Sequence, residues 1–310
     1  MMLKHLVDRL TTTSIVGVDF GSAALKLVEL AAREGQAVLR RCAVQALPGG
    51  GASAAVLKRL CDETGIATTH AALGLASPEV IVKPFQFPPM PKKELASAVR
   101  LAAEQAILNG HAPGDMAVDW HTLSRSQESI RGLLAVVPKA AVSARLETAK
   151  AAGLRPAVVD VEGLALWNAY WVLAGAQEPT PKTVLLVNVG AHTTNLVIAK
   201  GPDELLLIRD LQLGTTSLET DQTADWVAEV RDSLGYARSQ GGLRTLDAVY
   251  VTGGGSGPKL IPLLKAVTPA PITFWNPLKQ LARDAQCPAV DESAGPLLAI
   301  AIGLALRQPT

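Results

Sequence analysis

Cysteine is scarce: the chain has three, Cys42, Cys61 and Cys287, at no spacing that suits a metal site or a disulfide scaffold. They read as buried thiols of a reducing compartment. An excess of charge of either sign is also missing. With 29 basic and 28 acidic side chains the net charge is +1, which leaves no bulk field for nucleic acid. Long hydrophobic runs are absent as well. The longest, Ala294–Leu306, has about 13 residues against the roughly 20 that cross a bilayer. The first residues, M-M-L-K-H-L-V-D-R-L, lack the apolar core of a signal peptide. A cytoplasmic protein is expected, any membrane link coming through a partner. No Gly-Lys-Ser/Thr marks a Walker loop, and no Ser-His-Asp set is arguable from sequence. His5, His70, His111 and His121 show no ligand spacing with cysteines or carboxylates.

What remains is 310 residues that are 48% hydrophobic and 18% charged, a compact α/β profile with no limit on core size. The pattern is organised around V-G-V-D-F-G-S-A-A-L-K, residues 16–26. An apolar strand reaches Asp19-Phe20, turns at Gly21-Ser22 and returns as a second strand carrying Lys26. Turn N–H groups and a hydroxyl form a concavity suited to an anion. A third strand, Ala37–Ala46, completes an antiparallel meander.

Pro48-Gly49-Gly50-Gly51 breaks the pattern, and a helix follows over Ala52–Thr64. Strands are expected at Ala71–Leu75 and Val80–Phe87, the latter half-exposed with Pro84 marking an edge or a bulge. After Pro88-Pro89-Met90-Pro91 comes a helix from Lys92 with Leu95, Val99, Ala102 and Ala106 on one stripe. Strands Met116–Leu123 and Ile130–Val137 and a helix Lys139–Ala152 complete what reads as an inserted α+β unit. Ala157–Asp160 is a strand and Val161–Val172 a helix, with Trp167 and Trp171 on one face as core or an interface stripe.

After the polar Gln177–Lys182 the first pattern recurs: Thr183–Val189, a turn at Gly190-Ala191-His192, Thr193–Lys200 and Leu205–Leu211. Their separation exceeds any solenoid period, so two related lobes are expected. Gln222–Ser239 is helical. Ala248–Thr252 runs into Gly253-Gly254-Gly255-Ser256-Gly257, with a helix from Pro258, a short strand Ile272–Phe274, a helix from Asn276-Pro277-Leu278 and a closing helix Leu297–Leu306. Because the first two glycine turns lead into strands, a Rossmann fingerprint fits poorly. Hairpins that grip phosphates from two lobes, with a glycine turn passing close to a sugar and base, fit better.

These stretches carry a resemblance. V-G-V-D-F-G-S-A-A-L-K-L-V-E-L, L-L-V-N-V-G-A-H-T-T-N-L-V and V-Y-V-T-G-G-G-S resemble the two phosphate hairpins and the adenosine turn of the actin-like ATPase superfamily. F-Q-F-P-P-M-P-K-K-E-L-A-S-A-V-R, F-W-N-P-L and A-I-A-I-G-L-A-L-R resemble PilM, the actin-like family of type IV pilus assembly related to FtsA. The resemblance covers nearly the whole chain. It implies a two-lobed actin-like (ribonuclease H-like) α/β fold with an inserted α+β subdomain. Residues 1–76 and 156–180 would form the first lobe, 77–155 the insertion, and 181–310 a second lobe shortened after 214.

By the same resemblance, Asp19, Gly21, Ser22 and Lys26 would meet the phosphates of ATP, with Asp19 holding Mg²⁺ through water. Gly190, Thr193 and Thr194 would meet them from the other lobe, and Gly253, Gly254 and Gly255 would pass under the adenosine. Asp19 and Glu162 are the candidate catalytic groups. Glu162 either orients a water or stabilises a helix N-terminus. His192 either touches phosphate or is an exposed turn residue. Asn188 stands where the family usually has a second aspartate, which lowers the expected hydrolysis, and the shortened second lobe removes part of the base clamp.

The implied function is a cytoplasmic scaffold, peripheral to the inner membrane. It would bind the N-terminal tail of a PilN-like inner-membrane protein between the first lobe and the insertion, with ATP as a conformational cofactor and at most weak ATPase activity. Pro84, Phe85, Phe87 and Met90 are the candidate partner-binding residues. Pilus motor components and self-association are further candidate interactions; nucleic acid is not. The alternatives are a cycling or polymerising FtsA-like ATPase, and a nucleotide-free scaffold like the cytoplasmic domains of type II secretion L proteins.

Overall fold

The computed structural model describes residues 14–33, 36–48, 50–107, 112–220 and 222–307. The expected leader before Ser14 lies outside them, as do His5, Gly49 and His111. In chain order the elements begin with β1 (Val16–Phe20), β2 (Ala24–Arg33), β3 (Gln36–Ala46), α1 (Ala54–Thr64) and β4 (His70–Leu75). Then come β5 (Ile81–Phe87), α2 (Lys92–Ala106), β6 (Met116–Arg125), β7 (Ile130–Pro138) and α3 (Lys139–Ala151). β8 (Arg155–Val161), α4 (Glu162–Leu173), β9 (Thr183–Val189), β10 (Thr194–Lys200) and β11 (Glu204–Leu211) follow. The chain continues with α5 (Thr215–Leu218), α6 (Thr223–Ser239), β12 (Ala248–Thr252), α7 (Leu260–Lys265), β13 (Ile272–Phe274), β14 (Ala282–Arg283) and α8 (Ala299–Ala305).

The strands form three sheets, ordered β14-β3-β2-β1-β4-β8, β11-β10-β9-β12-β13 and β5-β7-β6. Without β14, the two large sheets have one plan: an antiparallel three-strand meander whose first strand pairs in parallel with a fourth strand, β4 or β12, which in turn pairs in parallel with a fifth, β8 or β13. The chain between β4 and β8 builds the third sheet, so the first sheet resumes after a long excursion. Its β5 carries Pro84, tolerated because β5 is an edge strand.

A large core lies between the two big sheets and contains most of α4 and all of α8. α4 is buried on every side, so Trp167 and Trp171 are core. Its packing against α8 depends on glycine. A Cβ on Gly303 would run into the carbonyl of Ala165, and one on Gly17 of β1 into the carbonyl of Ala301. Separate cores lie under α6, under α1 with α3, and between the third sheet and α2. Among the described residues no helix is long and apolar enough to cross a membrane.

Differences from expectation are local. The helix expected from Asn276 is one 3₁₀ stretch, Pro277–Gln280, started by Asn276 Oδ1 accepting from the Leu278 N–H at 3.1 Å. The closing helix begins as a 3₁₀ segment, Glu292–Leu298, because Pro296 supplies no N–H. β14 and α5 had no sequence signal, being two and four residues long.

Candidate functional site

The β1–β2 and β9–β10 turns face each other across the gap between the large sheets. With the Gly253-Gly254 turn and Leu297 they enclose a cavity of about 70 Å³. The hairpin register sets Asp19 opposite Lys26. Their ion pair, Asp19 Oδ2 to Lys26 Nζ, is 3.0 Å long and largely buried. Ser22 Oγ and His192 Nδ1 are hydrogen-bonded at 2.9 Å across the two turns, either one donating according to the ring tautomer.

Asn188, Asn195 and Asp210 are cross-strand neighbours on β9, β10 and β11. Asn188 Nδ2 donates to Asn195 Oδ1 at 2.7 Å, and Asn195 Nδ2 donates to Asp210 Oδ1 at 2.8 Å. The amide at 188 thus supplies a donor that an aspartate cannot. Burial pushes the Asp210 carboxyl up to about 6, against the opposing hydrogen bond from Asn195.

Glu162 opens α4, is 7% exposed and lines the cavity. Burial foremost, then the charges of Asp19 and Asp210, push its carboxyl up to about 8; Lys26 and Arg145 pull the other way. Arg145 was missed. It lies on α3, far along the chain from the first turn, with its guanidinium 4.6 Å from the Phe20 ring centre. A lone arginine on an ordinary helix carries no signal of this placement.

The structure therefore brings together Asp19, Gly21, Ser22, Lys26, Glu162, Gly190, Thr193, Gly253 and Gly254. Thr194 does not join them. Strand alternation turns it to the opposite face from Asn195, where its Oγ1 donates to the Leu213 carbonyl at 2.7 Å and accepts from Trp226 Nε1 at 3.1 Å. Gly255 also points elsewhere: a Cβ there would lie 2.7 Å from Val189 Cγ1 and would meet Thr215 Cγ2. Gly253 needs its φ of 91° and its lack of a side chain, since a Cβ would lie 2.7 Å from the Val189 nitrogen. A Cβ on Gly254 would lie 3.0 Å from Leu297 Cδ2.

The donor set suits phosphate, with the Lys26 ammonium and the Ser22 and Thr193 hydroxyls at the cavity, while the Gly190 and Gly253 N–H groups already donate to the Thr193 and Pro296 carbonyls; Asp19 is an oxygen donor fit for a hydrated Mg²⁺. The volume does not yet suit a whole nucleotide, whose pockets measure roughly 300 Å³ or more. The third turn is filled by the chain's own Leu297 and Thr215. Among the described residues no group of three or more His, Cys, Asp or Glu side chains is placed to hold a metal by itself.

A second concavity, about 570 Å³, lies between the free edge of β8 with α4 and the β6–β7 face of the third sheet. Leu123, Leu133, Val142, Val159, Leu164 and Trp167 supply apolar wall. The Asp160–Arg307 pair stands on one side, with Arg307 Nε and Nη2 donating to the carboxylate at 2.5 and 3.0 Å. Trp167 and Asn168 also line it, and their Nε1 and Nδ2 are buried without a hydrogen-bond partner. None of Pro84, Phe85, Phe87 and Met90 lines this groove. Phe85 is buried in the core under α2 and stacks on Phe87 at 5.2 Å, with Met90 packed alongside. Pro84 faces another hollow, between β5 and β11. The reason is sheet order: β5 is the edge of the third sheet away from β6.

Known proteins resemble the chain throughout. A structure described as the "PilM-PilN type IV pilus biogenesis complex" has 27% identity over 95% of this chain and 98% of that one, with a TM-score of 0.78. The cytoplasmic domain of EpsL, an inner-membrane component of the Vibrio cholerae type II secretion system, has 13% identity over 95% of each chain and a TM-score of 0.51. A Bacteroides thetaiotaomicron protein of actin-like ATPase fold has 12% identity over 89% of this chain and 94% of that one, with a TM-score of 0.50. The last two are similar in fold alone. The sequence model of the type IV pilus assembly protein PilM matches residues 17–225. That match spans well over half of the chain and includes the first two glycine turns and the whole third sheet, so the chain belongs to the PilM family of actin-like type IV pilus assembly proteins.

Proposed function

We propose that this chain is a cytoplasmic scaffold of pilus assembly that captures the N-terminal tail of a PilN-like inner-membrane protein in the groove beside β8. It would thereby sit at the inner membrane without entering it. The observation that carries the reading is the groove's chemistry: apolar walls for alternate side chains of an extended tail, beside the free edge of β8. The resemblance to a PilM-PilN complex supports it. The lobes are taken to divide near residues 76, 155 and 180.

ATP is proposed as a conformational ligand between the lobes. Lys26 and the glycine turns would hold its phosphates, and Asp19, released from Lys26, would meet Mg²⁺ through water. The bound nucleotide would supply phosphate charge for both lobes to grip. Asn188, committed to Asn195, leaves no second carboxylate on β9, so little or no hydrolysis is expected. A nucleotide-free scaffold is the second reading, favoured by the 70 Å³ cavity.

Calorimetry tests both parts. The synthetic N-terminal tail of the PilN-like partner should bind at micromolar concentration, and binding unaffected by Leu123→Glu would refute the groove. MgATP should bind the wild type and fail to bind Asp19→Ala; no heat at millimolar ATP would leave the nucleotide-free scaffold.

A further inference from the structure

We infer that the Ser22–His192 hydrogen bond is an autoinhibitory latch that holds the inter-lobe cleft shut against nucleotide. The inference rests on the nucleotide reading above for its consequence but not for its existence. The two residues are 170 apart in sequence and belong to hairpins of different sheets, so their 2.9 Å bond ties one lobe to the other. It lies beside the cavity: Ser22 lines it, as do Gly190, Ala191 and Thr193 around His192.

Both ends of the latch are stiff. The β9–β10 turn closes on itself through Gly190 N–H to the Thr193 carbonyl at 2.8 Å. From behind, α5 pins it: the Thr215 and Thr216 N–H groups donate to the Gly190 and Ala191 carbonyls at 2.9 and 3.0 Å. On the other side, Ser22 stands between β1 and β2, and the Asp19–Lys26 pair crosses those strands just behind the turn. A bond between two fixed turns leaves neither side free to follow if the lobes part. Parting must break it.

Breaking it is what a nucleotide would need. The phosphate-facing groups are present, but the cavity holds far less than a nucleotide's volume. Apparent affinity is then the intrinsic affinity scaled by the open fraction. An exposed neutral hydrogen bond shifts such a balance by roughly two- to tenfold. Removing the imidazole leaves Ser22 able to bond water, so His192→Ala acts on the balance and leaves no buried polar group behind.

The test compares wild type with His192→Ala in two measurements. Amide exchange of the ligand-free chain should accelerate about two- to tenfold in peptides covering residues 19–24 and 189–194, with the rest unchanged. A fluorescent ATP analogue with Mg²⁺ should associate faster by a similar factor. Unchanged exchange in those peptides overturns the latch whatever ATP does. Faster exchange with slower association also overturns it, because His192 would then serve the nucleotide. Faster exchange with no binding to either protein keeps the latch and refutes the nucleotide reading.

Discussion

The inter-lobe cleft and the groove beside β8 are built from opposite faces of one junction. Asp160 and Val161 end β8 in the groove wall; Glu162, the next residue, lines the cleft; Leu164, Trp167 and Asn168 return to the groove. The cleft is small, charged and tied shut. Its Asp19 is paired with Lys26, and the acidic groups of Glu162 and Asp210 and the Arg145 guanidinium act on the same site inside the protein. The groove is eightfold larger by volume, about 570 against 70 Å³, and mostly apolar. Charged groups reward a ligand that replaces their present partners, so the cleft suits a gate. Apolar wall rewards a ligand at once, so the groove suits a recognition surface.

Changes in the shared support should abolish the contrast and those within one site should isolate it. Gly303→Val forces α8 off α4, which carries both sites. It should cost about 3 kcal/mol or more in urea unfolding and abolish tail and nucleotide binding together. Asp19→Ala leaves Lys26 mostly buried without its partner; a loss of roughly 3 kcal/mol and of MgATP binding is expected, with tail affinity retained. Leu123→Glu places a charge in the apolar groove. Tail affinity should fall about ten- to a hundredfold, or ~1.4–2.7 kcal/mol, with ATP binding unchanged by calorimetry.

The Glu162 carboxyl gives a pH signature to the cleft alone. Its folded-state value is raised from 4.5 to about 8, so the folded chain keeps a proton that the unfolded chain loses. The resulting stability is full below about 4.5 and declines as pH rises through about 8. Urea midpoints should fall over that window, and Glu162→Gln should flatten the decline. The smallest change is Arg307→Lys, which turns a two-pronged contact with Asp160 into a point contact; about 1 kcal/mol in urea unfolding is expected.

Much of the first lobe's edge and of the repeated meander was legible from the sequence, because strand alternation and glycine turns are local. The strands Thr183–Val189, Ala248–Thr252 and Ile272–Phe274 are where periodicity and punctuation put them. The placement of the candidate partner-binding stretch was not legible. Phe85, Phe87 and Met90 look available in a proline-rich stretch, yet Phe85 is buried in the core under α2 and Phe87 and Met90 are partly buried against it. Thr194 beside Thr193 reads as a second phosphate contact, whereas strand alternation directs it to Leu213 and Trp226. Arg145 and Asp210 enter the cleft's electrostatics from α3 and β11, and no local pattern points there.

By itself the sequence determined the family, the two-lobe plan and which turns face a common gap, since hydrophobic period, glycine placement and quoted motifs are properties of short stretches. Only the tertiary structure decided whether that gap is open and which hollow beside it is apolar. Both depend on placements such as Ser22 against His192 and the β8 edge across the groove from β6–β7 of the third sheet, which relate residues that no local pattern relates.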